Sequence, residues 1–435
     1  MTNKIKVGLL GFGVVAGGTY DVLKRNADEI TRRAGSNIEV VRIATRTPSK
    51  AIGHVDEHIP VTDNMEDVIN DPNVDVVVEL IGGTTTAKDI VIKAIENGKH
   101  VVTANKALLA HYGNEIFALA AEKKVIVAFE AAVAGGIPII KTMREGLTGN
   151  RILWLAGIIN GTTNFILSEM YKKGLAYEQV LSEAQRLGYA EADPTFDVEG
   201  IDAGHKLSIL AAIAFGIPVN FKHVYTEGIR EIQEKDISYA RRLGYRIKLL
   251  GITKHREEGI EMRVHPTLVS QQQLLASVDG AMNAVVVDGD AVGQTLFYGQ
   301  GAGSEPTASA VVADLVDVAR MLNANPEHRV PALAFQARSL RDINLLPMQE
   351  VISSYYLRFT VVDRPGVLSE VTEILAKGRI SVKSMLQDEE HDGQATIIIL
   401  THRAKEGAAN EAIKDIESLS CVNSKVVRIR MENFV

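Results

Sequence analysis

Cysteine is almost absent from this chain of 435 residues: Cys421 stands alone, so no disulfide can form within it. A reducing compartment, the cytoplasm, is therefore expected. A lone cysteine in a strand-like segment reads as a small apolar filler rather than a nucleophile. Long hydrophobic runs are missing as well; none reaches the ~18 apolar residues of a membrane-spanning helix. The opening MTNKIKVGLLGFG has too short an apolar run for a secretion signal and passes straight into a strand-and-turn pattern. Nor is there an excess of basic charge. A net charge of −7 supplies no broad positive field, so neither nucleic acid nor a membrane surface is an expected partner. What is present is a hydrophobic fraction of 46% and a charged fraction of 23%, the balance of a soluble globular protein. The length exceeds one ordinary core, and two or three domains are expected.

Residues 5–10 (IKVGLL) read as a buried strand, followed by GFGVVAGG and a helical pattern ending near Arg33. Further strand patterns lie at 38–45, 74–80, 99–103 and 125–129, with helical segments between them, for example 87–97 and 107–122. Strands alternating with helices of this length predict a parallel sheet covered on both faces. The fold class expected is α/β, with a Rossmann-type dinucleotide-binding domain over 1–135. An α+β substrate and dimerisation domain follows over 136–304. The stretch GQGAGSEPTASAVVADLVDVARML then reads as a loop feeding a long helix, which returns to the first domain over about 305–340. A linker over 341–353, containing Pro347, precedes a C-terminal domain over 354–435. There, strands at 355–362, 380–386, 395–401 and 422–430 enclose helices at 366–378 and 405–418. That βαββαβ order is the ferredoxin-like arrangement.

Gly11-Phe12-Gly13-Val14-Val15-Ala16 fits the G-x-G-x-x-A form of the dinucleotide fingerprint, directly after a strand and opening a helix. The glycines let the turn form and the backbone approach a diphosphate, and the helix N-terminus offers amides and a favourable dipole. A plain tight turn is the alternative; the strand context weighs against it. Past the second strand comes Arg42-Ile43-Ala44-Thr45-Arg46-Thr47-Pro48-Ser49-Lys50, with no acid before Asp56. An NAD-binding site usually places an acid there for the ribose hydroxyl, whereas Arg46 suits a 2′-phosphate. NADP is the expected cofactor, with NAD as the alternative.

Three further stretches stand out: VVTANKALLA, with Lys106 just past a strand's carboxyl end; GIINGTTNFIL; and GYAEADPTFDVEGIDAGHKLSIL. Asp202 and Lys206 are four apart, on one helical face. A surface ion pair is the bland reading, but the apolar run after Lys206 marks a buried helix, and a charge there needs a partner. A lysine can also protonate a carbonyl as it is reduced. Its ordinary pKa of about 10.4 must fall for that role, and burial with a second cation such as Lys106 pushes it that way.

These motifs, with AAVAGGIPII and GAGSEPTASAVVADL, occur in one order over nearly the whole chain, and together they resemble the homoserine dehydrogenases. The segment YYLRFTVVDRPGVLSEVTEIL similarly resembles an ACT regulatory domain, and the absence of an amino-acid kinase domain ahead of the fingerprint resembles the monofunctional form. The resemblance implies reversible NADP(H)-dependent oxidation of L-homoserine to L-aspartate 4-semialdehyde, in threonine, methionine and isoleucine biosynthesis. It implies Lys206 as general acid/base, Lys106 beside nicotinamide and substrate, and Glu191 and Asp202 holding the amino-acid part of the substrate. Glu130, Val133, Gly135 and Ile137 would bind a monovalent cation, sodium or potassium, mostly through carbonyl oxygens; a simple turn is the alternative. Gly303 would approach the nicotinamide end. Threonine is the implied effector, and a homodimer or homotetramer the implied assembly. Glu305, where relatives often carry an uncharged residue, is expected to point away from the cofactor phosphates, and His205 to be packing. The competing readings are a dehydrogenase of another small amino acid and a non-catalytic, effector-sensing protein.

Overall fold

The computed structural model describes residues 4–389 and 393–434. The chain divides into two compact units: Met1–Gly161, Asp202–Val224 and Ala281–Ile343 form the first, and Thr162–Ile201, Tyr225–Gly280 and Asn344–Val435 the second.

The first unit is built on a parallel sheet of β1 (Lys4–Leu10), β2 (Asn37–Ala44), β3 (Val61–Thr62), β4 (Val76–Glu79), β5 (His100–Thr103) and β6 (Val127–Ala128). Their spatial order is β3-β2-β1-β4-β5-β6. Val7, Leu9, Val76, Val77 and Val78 have no exposed surface, as continuous apolar strands do when helices cover both faces. One face carries helices Val14–Arg25, Ala27–Ala34 and Ser304–Met321, the other Thr85–Glu96 and Lys106–Lys123. The order reverses between β1 and β4, which opens a crevice at the strands' carboxyl ends.

The helix expected to run to Arg33 is two. Asn26 leaves helical geometry (φ −108, ψ 22) while its N–H still bonds the Val22 carbonyl, and Asp28 and Glu29 then begin a new first turn. Residues 125–129 contribute only Val127–Ala128 as strand. Helix Ser304–Met321 lies against Val14–Arg25. Gly18 permits the contact, since a Cβ there would stand 2.4 Å from Ser304 Oγ, and that hydroxyl donates to the Val14 carbonyl at 2.8 Å. The unit also holds an antiparallel set, Ile152–Ile158, Met282–Gly289 and Gly293–Gln300, and a helix, Ile201–Phe215, whose residues from Asp202 onward are all buried.

In the second unit, strands Tyr245–His255, Ile260–Ser270, Val427–Glu432, Ile352–Val362, Gln394–Thr401 and Val382–Glu389 follow one another in space. The last four, with helices Val367–Lys377 and Glu406–Glu417, make the βαββαβ domain. Its final strand begins at Val427 rather than 422, because Asn423 and Ser424 turn the chain by bonding the Thr360 backbone. Cys421 therefore sits outside the strand, buried in that domain's core. Val427–Glu432 also pairs in parallel with Ile260–Ser270, through Thr267–Arg430 to Val269–Glu432. Buried charges flank this seam: Arg263 Nη2 donates to Glu432 at 2.5 Å, and Arg430 to Glu406 at 2.5 Å and Glu227 at 2.8 Å.

Candidate active site

Helix Ile201–Phe215 enters the core with Asp202 and Lys206 on one side. Lys206 Nζ donates to Asp202 Oδ2 at 2.6 Å and to the Ile159 carbonyl at 2.7 Å. Asn160 Nδ2 donates to the same carboxylate oxygen at 2.9 Å. Ile159 and Asn160 immediately follow strand Ile152–Ile158, so the GIINGTTNFIL motif delivers a carbonyl and an amide to the two charged residues. Lys106 reaches the other carboxylate oxygen, with Nζ 3.1 Å from Asp202 Oδ1. It opens helix Lys106–Lys123 at the carboxyl end of β5, where Asn105 caps the helix by accepting the Leu108 N–H and donates to the Gly83 carbonyl at 2.7 Å. Burial opposes ionisation of Asp202. The ammonium groups of Lys206 and Lys106, with hydrogen bonds from Lys206 and Asn160, outweigh it and hold the carboxyl well below the usual carboxylate range. The two lysines thus share one anion instead of facing each other as bare like charges.

Glu79 and Asn160 were not singled out in the sequence. Glu79 ends β4, accepting from the Ile81 and Gly82 amides at 3.0 and 3.2 Å and from Thr103 Oγ1 at 2.6 Å. It braces the loop beside the fingerprint turn, and burial pushes its carboxyl up despite those donors. An acid directly after the three valines of VDVVVEL was the available signal. His205 packs edge-on to the rings of His111 and Phe221, and its pKa is lowered to about 4, first by burial and then by His111.

At the fingerprint, Gly11 has φ +90, and a Cβ there would come 2.8 Å from the Leu80 carbonyl oxygen. Gly13 caps helix Val14–Arg25 with open space beside it and provides no side-chain cap. Phe12 and Val15 are partly buried, and Val14 is exposed. Gly303 (φ +126) caps helix Ser304–Met321, again without a side-chain cap. Two uncapped helix N-termini joined by the Ser304–Val14 bond are suited to an anion such as a diphosphate. Arg46 lies exposed just beyond β2. Glu305 turns to Arg25 at 2.8 Å.

Glu130, Val133, Gly135 and Ile137 share one buried turn. Ala134 (φ 57) and Gly135 (φ 46) are left-handed in succession, and a Cβ on Gly135 would stand 2.5 Å from the Gly301 oxygen. Each Glu130 carboxylate oxygen accepts one amide, from Ile140 at 2.9 Å and Lys141 at 2.7 Å, and so retains acceptor capacity. Burial raises this carboxyl to about 7 against those amides. Carbonyl oxygens and one carboxylate form a hard donor set. Among the described residues no cluster of three or more His, Cys, Asp or Glu is arranged to hold a metal. Glu191 belongs to the second unit, where it is exposed and its carbonyl accepts from Gln185 at 3.1 Å. Asp193 accepts the Thr195 amide at 3.1 Å, a local turn just ahead of the Pro194 that caps helix Thr195–Val198.

Comparison with known proteins matches residues 11–130 to the homoserine dehydrogenase NAD-binding domain, 138–316 to homoserine dehydrogenase and 355–421 to the ACT domain. The homoserine dehydrogenase of Pseudomonas aeruginosa is 60% identical over 98% of this chain and 99% of its own length. The crystal structure of a homoserine dehydrogenase from Thiobacillus denitrificans is 62% identical, superposes with a TM-score of 0.96 and covers 99% of each chain. A hyperthermophilic archaeal homoserine dehydrogenase solved in complex with NADPH is more distant, 26% identical with a TM-score of 0.64, covering 74% of this chain and 99% of its own.

Proposed function

This chain belongs to the homoserine dehydrogenase family of NAD(P)-dependent oxidoreductases, and from that premise we propose that Lys206 is the general acid/base of the reaction. The nicotinamide cofactor, when bound, supplies the hydride that passes to the aldehyde carbon of aspartate semialdehyde. Lys206 gives its proton to the aldehyde oxygen, which becomes the γ-hydroxyl of homoserine, and takes it back in the oxidative direction. Asp202 and the Ile159 carbonyl aim the ammonium group. Lys106, anchored on the other oxygen of Asp202, adds positive charge where oxygen charge develops and meets both nicotinamide and substrate. Asp202, with Glu191, is the carboxylate proposed for the substrate's ammonium group.

NADP is the proposed cofactor. Gly11, Phe12, Gly13, Val14 and Val15 line its diphosphate turn, Gly303 approaches its nicotinamide end, and Arg46 takes the 2′-phosphate. The NADPH bound by the archaeal relative supports this choice over NAD. A sodium or potassium ion is assigned to Glu130, Val133, Gly135 and Ile137, whose oxygens suit it. It would hold the turn between the two halves of the family match. Threonine acting through the ACT domain, a homodimer or homotetramer and a cytoplasmic location complete the proposal.

The observation that carries the mechanism is the sharing of Asp202 by both lysines. Lys206→Ala is expected to lower kcat by a factor of ~10²–10⁴ with little change in KM for NADPH. Wild-type turnover in that variant, measured as NADPH oxidation with aspartate semialdehyde, would overturn the assignment.

A further inference from the structure

Helices Lys106–Lys123 and Ser304–Met321 begin beside the reaction centre and the cofactor turn, but their far halves serve something else. They wall a cavity of about 490 Å³ within the first unit, within the range of roughly 300–1,000 Å³ found for small-molecule sites. A strap of residues 326–340 closes another side. It is seated by Phe335, against which a Cβ on Gly216 would stand at 2.9 Å, and by the Arg341 N–H, which donates to the Gly216 carbonyl at 2.9 Å. Much of the wall is apolar, with Phe117, Leu333, Phe335 and Leu340 prominent.

The charged groups in this wall are unequally satisfied. Asp314 accepts the Glu130 amide at 2.8 Å, Asp317 pairs with Lys141, and Glu327 is exposed on the strap. The guanidinium donors are the ones left over. Arg144 is 8% exposed; its Nη2 reaches Glu145 only at 3.5 Å, and its Nε is buried without an acceptor among the described residues, as is the Nε of Arg329. Arg329 spends its other nitrogens tying the strap to the carbonyls of Lys124 and Leu322. Buried donors without acceptors are rare in folded proteins. A cavity whose open donors are guanidinium N–H groups and whose wall is apolar is complementary to an anion with an apolar body.

We propose that this cavity binds a small carboxylate with an aliphatic body, its carboxylate held by Arg144 and its body by the apolar wall. The chemistry is shared by branched-chain amino acids and their 2-oxo acids. It is independent of the roles assigned to Lys106, Asp202 and Lys206, and its readout is binding rather than turnover.

Thermal unfolding of the full chain would be followed with leucine, 4-methyl-2-oxopentanoate and the uncharged 4-methylpentanol at millimolar concentration. At least one carboxylate is expected to raise Tm by a few degrees, saturably, because a ligand that binds only the folded state stabilises it by mass action. The alcohol is expected to give no such shift, and the stronger carboxylate identifies the source. Arg144→Met removes the anion partner. Ala118→Trp, at an exposed position on the cavity wall, crowds the space while keeping that arginine and decides the matter if Arg144→Met does not fold. Each is expected to abolish the shift. No shift with either carboxylate, equal shifts with the alcohol, or an undiminished shift in Ala118→Trp would overturn the site.

Discussion

Asp202→Asn tests the reaction centre at its narrowest point. Three donors converge on the two carboxylate oxygens, Lys206 at 2.6 Å, Asn160 at 2.9 Å and Lys106 at 3.1 Å. An amide keeps one acceptor and brings donors of its own, so one ammonium group must lose its partner. The Lys206 side chain is 11% exposed and that of Asp202 4%, which puts their pair among buried ones, where removing a partner costs ~3–5 kcal/mol. Lys206 keeps the Ile159 carbonyl, which argues for the lower end. Lys106 is 35% exposed, and its share is discounted to about 0–1 kcal/mol. A loss of ~3 kcal/mol is therefore expected. Trp154, the only tryptophan, lies in strand Ile152–Ile158 of the same unit, so its fluorescence during urea unfolding reads the right part of the molecule. The effect has a pH signature. Asp202 is held below its unfolded pKa, so the stability it provides is complete above about 3.9 and is lost as pH falls below that value. The gap between wild type and variant should be full at pH 7 and close in acid. Equal midpoints at pH 7, or a gap that persists unchanged near pH 3, would refute the reasoning.

Arg46→Ser is expected to raise KM for NADPH by roughly 10- to 150-fold and leave KM for NADH nearly unchanged, as loss of one charge-assisted phosphate contact of ~1.5–3 kcal/mol requires; steady-state kinetics with both cofactors decides it. Gly11→Ala should weaken cofactor binding and destabilise the first unit by ~1–3 kcal/mol, since it combines φ +90 with a 2.8 Å approach to the Leu80 oxygen. Unchanged NADPH titration and melting would contradict that. His100 accepts the Ile126 N–H at 2.9 Å and has its pKa lowered to about 4, mainly by burial. A depressed histidine contributes stability that is full above its unfolded value of about 6.5 and lost as pH falls towards 4. His100→Asn should therefore flatten the wild-type stability profile between those values.

The parallel sheet was legible because its strands are short apolar runs separated by helical periodicity, as at IKVGLL and VDVVVEL. The C-terminal domain was legible for the same reason. Boundaries were less so: Asn26 interrupts a helix whose apolar spacing continues across it, and Asn423 and Ser424 delay the last strand by local hydrogen bonds. At the reaction centre, Asp202 and Lys206 could be paired from their spacing, since four residues make one helical turn. Lys106 is 96 residues before Asp202, and only the fold shows both lysines on opposite oxygens of one carboxylate. The Ile159 carbonyl and the amide of Asn160 carry no periodic signal at all, because backbone acceptors are positioned by strand ends.

The seam between Val427–Glu432 and Ile260–Ser270 bears on how regulation could be separated from catalysis. Arg263 and Arg430 are both fully buried, and their carboxylate partners Glu432 and Glu406 belong to the C-terminal domain. Deleting that domain would take Glu432 from Arg263, leave it Glu261 as its carboxylate partner, and strip the edge of the neighbouring strand. The proposed effector control is therefore better tested by point changes in the Asp363-Arg364-Pro365-Gly366 turn, which lies outside the paired residues of the seam. The C-terminal domain thus serves as a structural wall of the second unit, and point changes in it disturb that wall less than its removal would.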